Sequence, residues 1–221
     1  EDGESNIRIV STKDGDPFKE KFFHYGIGGQ SFLCPKRNFG DDCPACNFAN
    51  KLWNEGTEES KKQAKEMFAK QRFFSPVLVR GEESEGIRVW GYGKMAYEKL
   101  LSLVLNPEYG DITDPDQGTD LVIHYGKPAG ASFPQTKITP RRKSSPLSED
   151  SATVAEYLDT VPDFTDLFDR KSPGQVGALL EEYLSGDESA EERSEETSKY
   201  GQADNDTVSD VDAAFNDLLG S

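Results

Sequence analysis

Cysteine is scarce: the 221 residues contain three, all within one stretch, Cys34–Cys46 (CPKRNFGDDCPAC). An odd count leaves one thiol over after any disulfide pairing, and three is one short of an all-cysteine tetrahedral metal site. Histidine is scarcer still, with only His24 and His124. No run of 18 apolar residues occurs, so no segment reads as a membrane-spanning helix. The opening EDGESNIRIV has neither an initiator Met nor the apolar core of a signal peptide. Apolar residues make up 34% of the chain and the mean hydropathy is -0.71, too low for every segment to be packed. These absences weigh against a disulfide-stapled secreted domain. They point to a reducing compartment, where clustered cysteines serve metal binding or catalysis.

The net charge of -16 argues, taken whole, against a nucleic-acid partner. Its distribution reverses that. Residues 1–143 carry 21 Lys and Arg against 21 Asp and Glu, whereas residues 144–221 carry 4 against 20. All of the excess acidity therefore lies in the C-terminal third, an asymmetry found in nucleic-acid binders with acidic tails.

Alternation and β-branching predict strands at 6–10 and 21–25. The cysteine segment, broken by Pro35, Gly40 and Pro44, reads as a loop. A helical pattern follows to Gly56, and then a charged helix from about Glu58 to Lys70 with Ala64, Met67 and Phe68 inward. Strands are expected at 73–79 and 86–92, a helix over 94–105, strands at 121–125 and 137–139, and short acidic helices within 152–184. From 186 to 221 the chain is polar, with 2 basic and 11 acidic residues, and reads as a disordered tail. Residues 1–185 are thus expected to form the folded part, with a metal-binding portion at about 22–70. Five or six short strands with an inserted helix suit an α+β or mainly β domain, of which the oligonucleotide-binding (OB) barrel is one kind.

Cys43-Pro-Ala-Cys46 admits two kinds of chemistry. As a thiol-redox pair it would need an electropositive setting, but Asp41 and Asp42 immediately precede it. As half of a zinc site it supplies two ligands from one turn, and Cys34 supplies a third. His24, nine residues before Cys34, is the economical fourth, since His124 falls in a distant strand. Three buried thiols beside a satisfied core histidine is the remaining alternative. A closed Cys3His set leaves no position for water, so such a zinc would be structural.

Basic and aromatic residues interleave over 70–97: Lys70, Arg72, Phe73, Phe74, then Arg88, Trp90, Tyr92, Lys94 and Tyr97. Aromatic faces stack on unpaired bases while Lys and Arg track phosphates. Arg88, Trp90 and Tyr92 share one face of a strand. Strand aromatics also serve as core, and that reading stands beside the first.

The order His24, Cys34, Cys43-Pro-Ala-Cys46, a helical insert, KQRFFSPVLV, then WGYGK and a helix resembles the single-stranded DNA-binding (helix-destabilising) proteins of T-even-type tailed bacteriophages. The similarity covers about residues 5–185. It implies a non-enzymatic protein with an OB-fold core, a zinc subdomain, short peripheral helices and a cleft that holds the strand. His24, Cys34, Cys43 and Cys46 match the family's zinc ligands. Lys70, Arg72, Phe73 and Phe74 match its basic-aromatic cleft strand, and Arg88, Tyr92 and Lys94 fall where further cleft residues are expected. The resemblance also implies work in phage DNA replication, recombination and repair, in the cytoplasm of the infected bacterial host. The family's acidic C-terminus recruits replication and recombination proteins and competes with DNA. The basic N-terminal arm that gives the family its cooperativity is absent from this sequence, so self-association on DNA is not assumed.

The tail carries Val211, Phe215, Leu218 and Leu219 at helical spacing in an acidic segment, as a partner-docking helix requires. A plain solubilising tail is the alternative. Two other function classes stay open at this level: a zinc-stabilised protein-interaction scaffold and a thiol oxidoreductase using Cys43 and Cys46.

Overall fold

A computed structural model describes residues 3–165 and 167–186. The described residues form an antiparallel sheet of seven strands with six α-helices. The strands are β1 (Gly3–Ile9), β2 (Lys19–Ile27), β3 (Gln30–Leu33), β4 (Lys70–Val79), β5 (Ile87–Tyr92), β6 (Leu121–Gly126) and β7 (Gln135–Pro140). Their order is β3-β2-β4-β1-β6-β7, with β5 paired to β4 off that path. The ten-residue β4 serves three partners. It pairs with β2 through Lys70–Phe74, with β5 through Phe73–Leu78 and with β1 through Val77–Val79.

The helices are α1 (Pro35–Phe39), α2 (Pro44–Glu55), α3 (Glu58–Met67), α4 (Lys94–Val104), α5 (Ser151–Asp159) and α6 (Pro173–Ser185). Two features depart from the sequence reading. β3 was not expected. The cysteine segment is not a loop but the start of two helices, with Cys34 and Cys43 as their N-caps. The physical reason lies in the prolines taken as breakers. Each occupies a first helical position, where the missing N–H has no intrahelical partner to lose and φ is already set.

Three clusters of buried side chains arise from these elements. One, on the inner face, joins Ile7, Ile9, Phe73, Val77, Tyr92 and Ile123 to Leu100 and Leu103 of α4. A second holds Val10, Leu78, Leu147 and Val161 under α5. The third surrounds the cysteines and takes side chains from α2 and α3, together with Val176, Leu179 and Leu180 of α6. The metal-binding portion expected at 22–70 therefore gains a helix from the far end of the folded chain. Its approach requires a glycine: Gly28 has φ +59°, and a Cβ there would meet Leu179 at 3.0 Å.

Arg8 alternates with Ile7 and Ile9 on β1, so its side chain points away from their cluster, and it is fully buried. It pairs with Asp120 at 2.9 Å and donates to the carbonyls of Asp114 and Ser145. Arg80 donates to the same carboxylate and to the carbonyls of Pro146 and Leu147. Two cations on one carboxylate thus pin the irregular segments 111–120 and 141–147 to the sheet. Burial lowers the Arg8 pKa, while Asp120 opposes that shift. Asp120→Ala leaves the two guanidiniums facing each other without a counter-ion. We expect a stability loss of about 3–5 kcal/mol in urea unfolding, the range for breaking a buried pair from one side.

Candidate metal centre and nucleic-acid face

β2 alternates between two environments. Phe22 and His24 face the cysteine cluster, while Lys21, Phe23 and Tyr25 face the opposite side. His24 is fully buried and its ring lies 5.3 Å from that of Phe32, its partner on β3. Its Nδ1–H donates to the Met67 carbonyl at 2.8 Å, which turns Nε2 toward the sulfurs. Nε2 lies 3.4 Å from Cys43 Sγ and 3.5 Å from Cys46 Sγ, and Cys34 and Cys46 Sγ are 3.5 Å apart. The four ligand atoms all lie within 4.8 Å of one another, and all four residues are buried. Tetrahedral zinc with bonds of about 2.0–2.3 Å separates its ligands by about 3.5–3.8 Å, so the group fits one ion. The backbone N–H of Arg37 also points at Cys34 Sγ, at 3.4 Å, as a thiolate favours. His124 is not part of the group; it is exposed on β6 and faces Glu4.

Protons fit this pocket poorly. Hydrogen bonds from Cys43 and Cys46 drive the Cys34 thiol well below its ordinary range. Hydrogen bonding to Cys34 and Cys43 pushes Cys46 up. Burial pulls the His24 imidazole down, yet its hydrogen bonds to Cys34, Cys43 and the Met67 carbonyl carry it up to about 9. A divalent cation resolves that competition by replacing the protons. A sulfur open to a substrate is missing, since Cys34 and Cys43 are fully buried and Cys46 nearly so.

The interleaved aromatics divide between the two faces of the sheet. Phe73 and Tyr92 are each 4% exposed. Their rings stack at 6.2 Å, Tyr97 lies 3.9 Å over Phe73, and the Tyr92 hydroxyl meets Ser75 Oγ at 2.7 Å. Trp90 packs half-buried on Tyr92 at 4.4 Å. The shared face of Arg88, Trp90 and Tyr92 is real, but it is the core face, because these residues pair with Val77, Ser75 and Phe73. Phe73 and Tyr92 therefore support the strand and offer no free ring to a base. Arg88 is held by Glu82 at 2.7 Å, in the acidic turn before β5, and the exposed Lys94 faces Glu98 at 3.7 Å.

Lys70, Arg72 and Phe74 occupy the other face. They sit directly opposite Phe23, Lys21 and Lys19 of β2. Lys19 is paired with Asp14, whereas Arg72 interacts with the Tyr25 hydroxyl. Lys70 is half-buried, with Nζ on the Lys65 carbonyl, and burial lowers its pKa. The rings of Phe23 and Phe74 lie 5.8 Å apart. Gly91 of β5 makes room for Phe74, since a Cβ there would meet its ring at 2.9 Å. Lys21, Phe23 and Tyr25 escaped the sequence reading. The signal was available in KEKFFHY, where odd positions carry bases and rings and even positions lead to His24. Val211, Phe215, Leu218 and Leu219 lie outside the described residues.

Among the described residues no helix is long and apolar enough to cross a membrane. No curated protein matches the chain. A family model described as gp32 DNA binding protein like matches residues 1–183, and the chain belongs to that family.

Purified protein is expected to carry one zinc per chain by elemental analysis after gel filtration. Acidification should release it as protons retake the sulfurs, and Cys46→Ser should lower the zinc content. Metal content near zero in folded protein rules out the assignment.

Proposed function

We propose that the chain, as a member of that family, binds single-stranded DNA with little sequence preference across the outer face of β2 and β4. The observation that carries this reading is the face itself, where Lys21 stands opposite Arg72 and Lys70 opposite Phe23, with Tyr25 and Phe74 on the same side of the two strands. Cations at that spacing follow phosphates, and rings between them stack on unpaired bases. Duplex DNA keeps its bases stacked inside, so it meets only the cations. Zinc held by His24, Cys34, Cys43 and Cys46 has a closed ligand set and does no chemistry; it fixes β2, which carries half of this face, beside the edge strand β3.

In this proposal the sheet is an OB-type barrel elaborated by the metal subdomain. Support comes from the family match and from β4, which pairs with three strands as a small barrel's shared strand does. The wider role proposed is coating of single strands during phage replication, recombination and repair in the host cytoplasm. The acidic tail recruits partner proteins and competes with DNA for the basic face.

A salt-series titration with oligo(dT) and duplex of equal length tests the core of the proposal. Three cations on phosphates give a slope of log K on log salt of about -2. Arg72→Ala should flatten that slope by about 0.7. Phe74→Ala should weaken oligo(dT) binding by about 1–3 kcal/mol, with the slope unchanged. Equal affinity for single strand and duplex would refute the reading. Removal of residues 186–221, which carry 2 basic and 11 acidic residues, should tighten oligo(dT) binding at low salt. Unchanged affinity there excludes competition by the tail.

A further inference from the structure

Between α5, which packs on the sheet, and α6, which packs on the cysteine cluster, Phe168 lies over the outer face of β2 and β4. It sits against two of the three rings of that face, Phe23 and Phe74. The Phe168 ring is 5.1 Å from Phe23, edge-on at 82°, and 4.7 Å from Phe74, tilted at 56°. Phe23 is thereby 8% exposed, and Phe74 is half-buried. A phenyl ring lies where a base must lie to stack on Phe74. The residues next to it do not lock it there. Leu167 is 38% exposed, Asp169 is exposed, and Arg170 is held by surface contacts, an ion pair to Asp41 and a stack over the Phe39 ring at 4.3 Å.

We infer that the Phe23–Phe74 pair is a base-stacking site and that Phe168 is its resident occupant, which yields to an unpaired base of single-stranded DNA. This rests on the single-strand reading above. The chemistry is an exchange of one aromatic face for another on the same platform. The incoming nucleotide adds a phosphate within a cationic surround, Lys21, Lys70 and Arg72, that the phenyl side chain cannot engage. Affinity is then reduced by the fraction of molecules in which Phe168 is seated. Emptying the site raises apparent affinity without altering any charge contact.

The test compares the parent chain with Phe168→Ala and Phe74→Ala in oligo(dT) anisotropy titrations at several salt concentrations. Phe168→Ala should bind several-fold more tightly, with the parent's salt slope, while Phe74→Ala binds more weakly. Unchanged or weaker binding by Phe168→Ala overturns the occupant assignment, because the ring would then be neutral or part of the platform. A second readout uses the parent alone and holds even where the variant fails to fold. Oligo(dT) should accelerate tryptic cleavage after Arg170 and Lys171 as the ring leaves its seat, and slowed or unchanged cleavage overturns the proposal. A parent that binds no oligo(dT) at any salt instead refutes the single-strand reading.

Discussion

His24 and Phe23 are neighbours on one strand and point to opposite sides of it, and both functions proposed for this protein depend on that alternation. The strand period is two, so a slip of one residue in β2 would carry His24 out of the cysteine cluster. The same slip would turn Phe23 and Tyr25 away from the face they share with Phe74. Four ligands closing on one ion accept a single register. A metal held at His24 would therefore fix the height at which Lys21 and Phe23 stand opposite Arg72 and Lys70. The hydrogen bond from His24 to the Met67 carbonyl extends the constraint to the end of α3, three residues before β4 begins. A structural ion can in this way set the geometry of a surface that it does not touch.

The rest of the molecule holds β4 in place for that purpose. Its inner side chains, Phe73, Ser75 and Val77, are locked into the core by Tyr92, Trp90 and α4. Its far end is tied through β1 to the Arg8–Asp120–Arg80 group, whose geometry also disciplines two long irregular segments. Burying a charged trio is a poor source of stability by itself. Its consequence here is positional. Segments without regular backbone pairing acquire a single arrangement because their carbonyls accept from the buried Arg8 and the partly buried Arg80.

Much of this was legible in the sequence, and the limits have physical causes. The ligand set could be counted, because three cysteines and one nearby histidine complete a tetrahedron. Strands β4, β5 and β6 and helix α4 were evident from periodicity. The helices opening at Pro35 and Pro44 were not, because a proline serves equally to end an element or to begin one, and the packing of the residues after it decides between the two. The orientation of Phe73 and Phe74 was hidden for a related reason. Adjacent aromatics must point to opposite faces, but alternation does not say which face is solvent. That is settled by α4 and β5, which cover Phe73, and by Gly91, which leaves space over Phe74. The docking of α6 on the cysteine cluster joins residues some 130 positions apart, beyond the reach of any local pattern.

The same long-range docking explains why Phe168 can compete with a base at all. Its contacts are few, and the ion pair beside it joins side chains that are 57% and 36% exposed, a setting in which such pairs contribute little. An isolated phenyl group held so loosely would not occupy the site. The anchors at either end of the crossing change this. α5 is fixed to the sheet and α6 to the cysteine cluster, so the ring is confined to the neighbourhood of Phe23 and Phe74 and acts at a high effective concentration. Weak contacts and strong tethering together give a site that is covered at rest and readily opened by a ligand with both a ring and a charge. Because one tether is the helix packed on the cysteine cluster, a metal that registers β2 would also help to hold Phe168 in reach of the site.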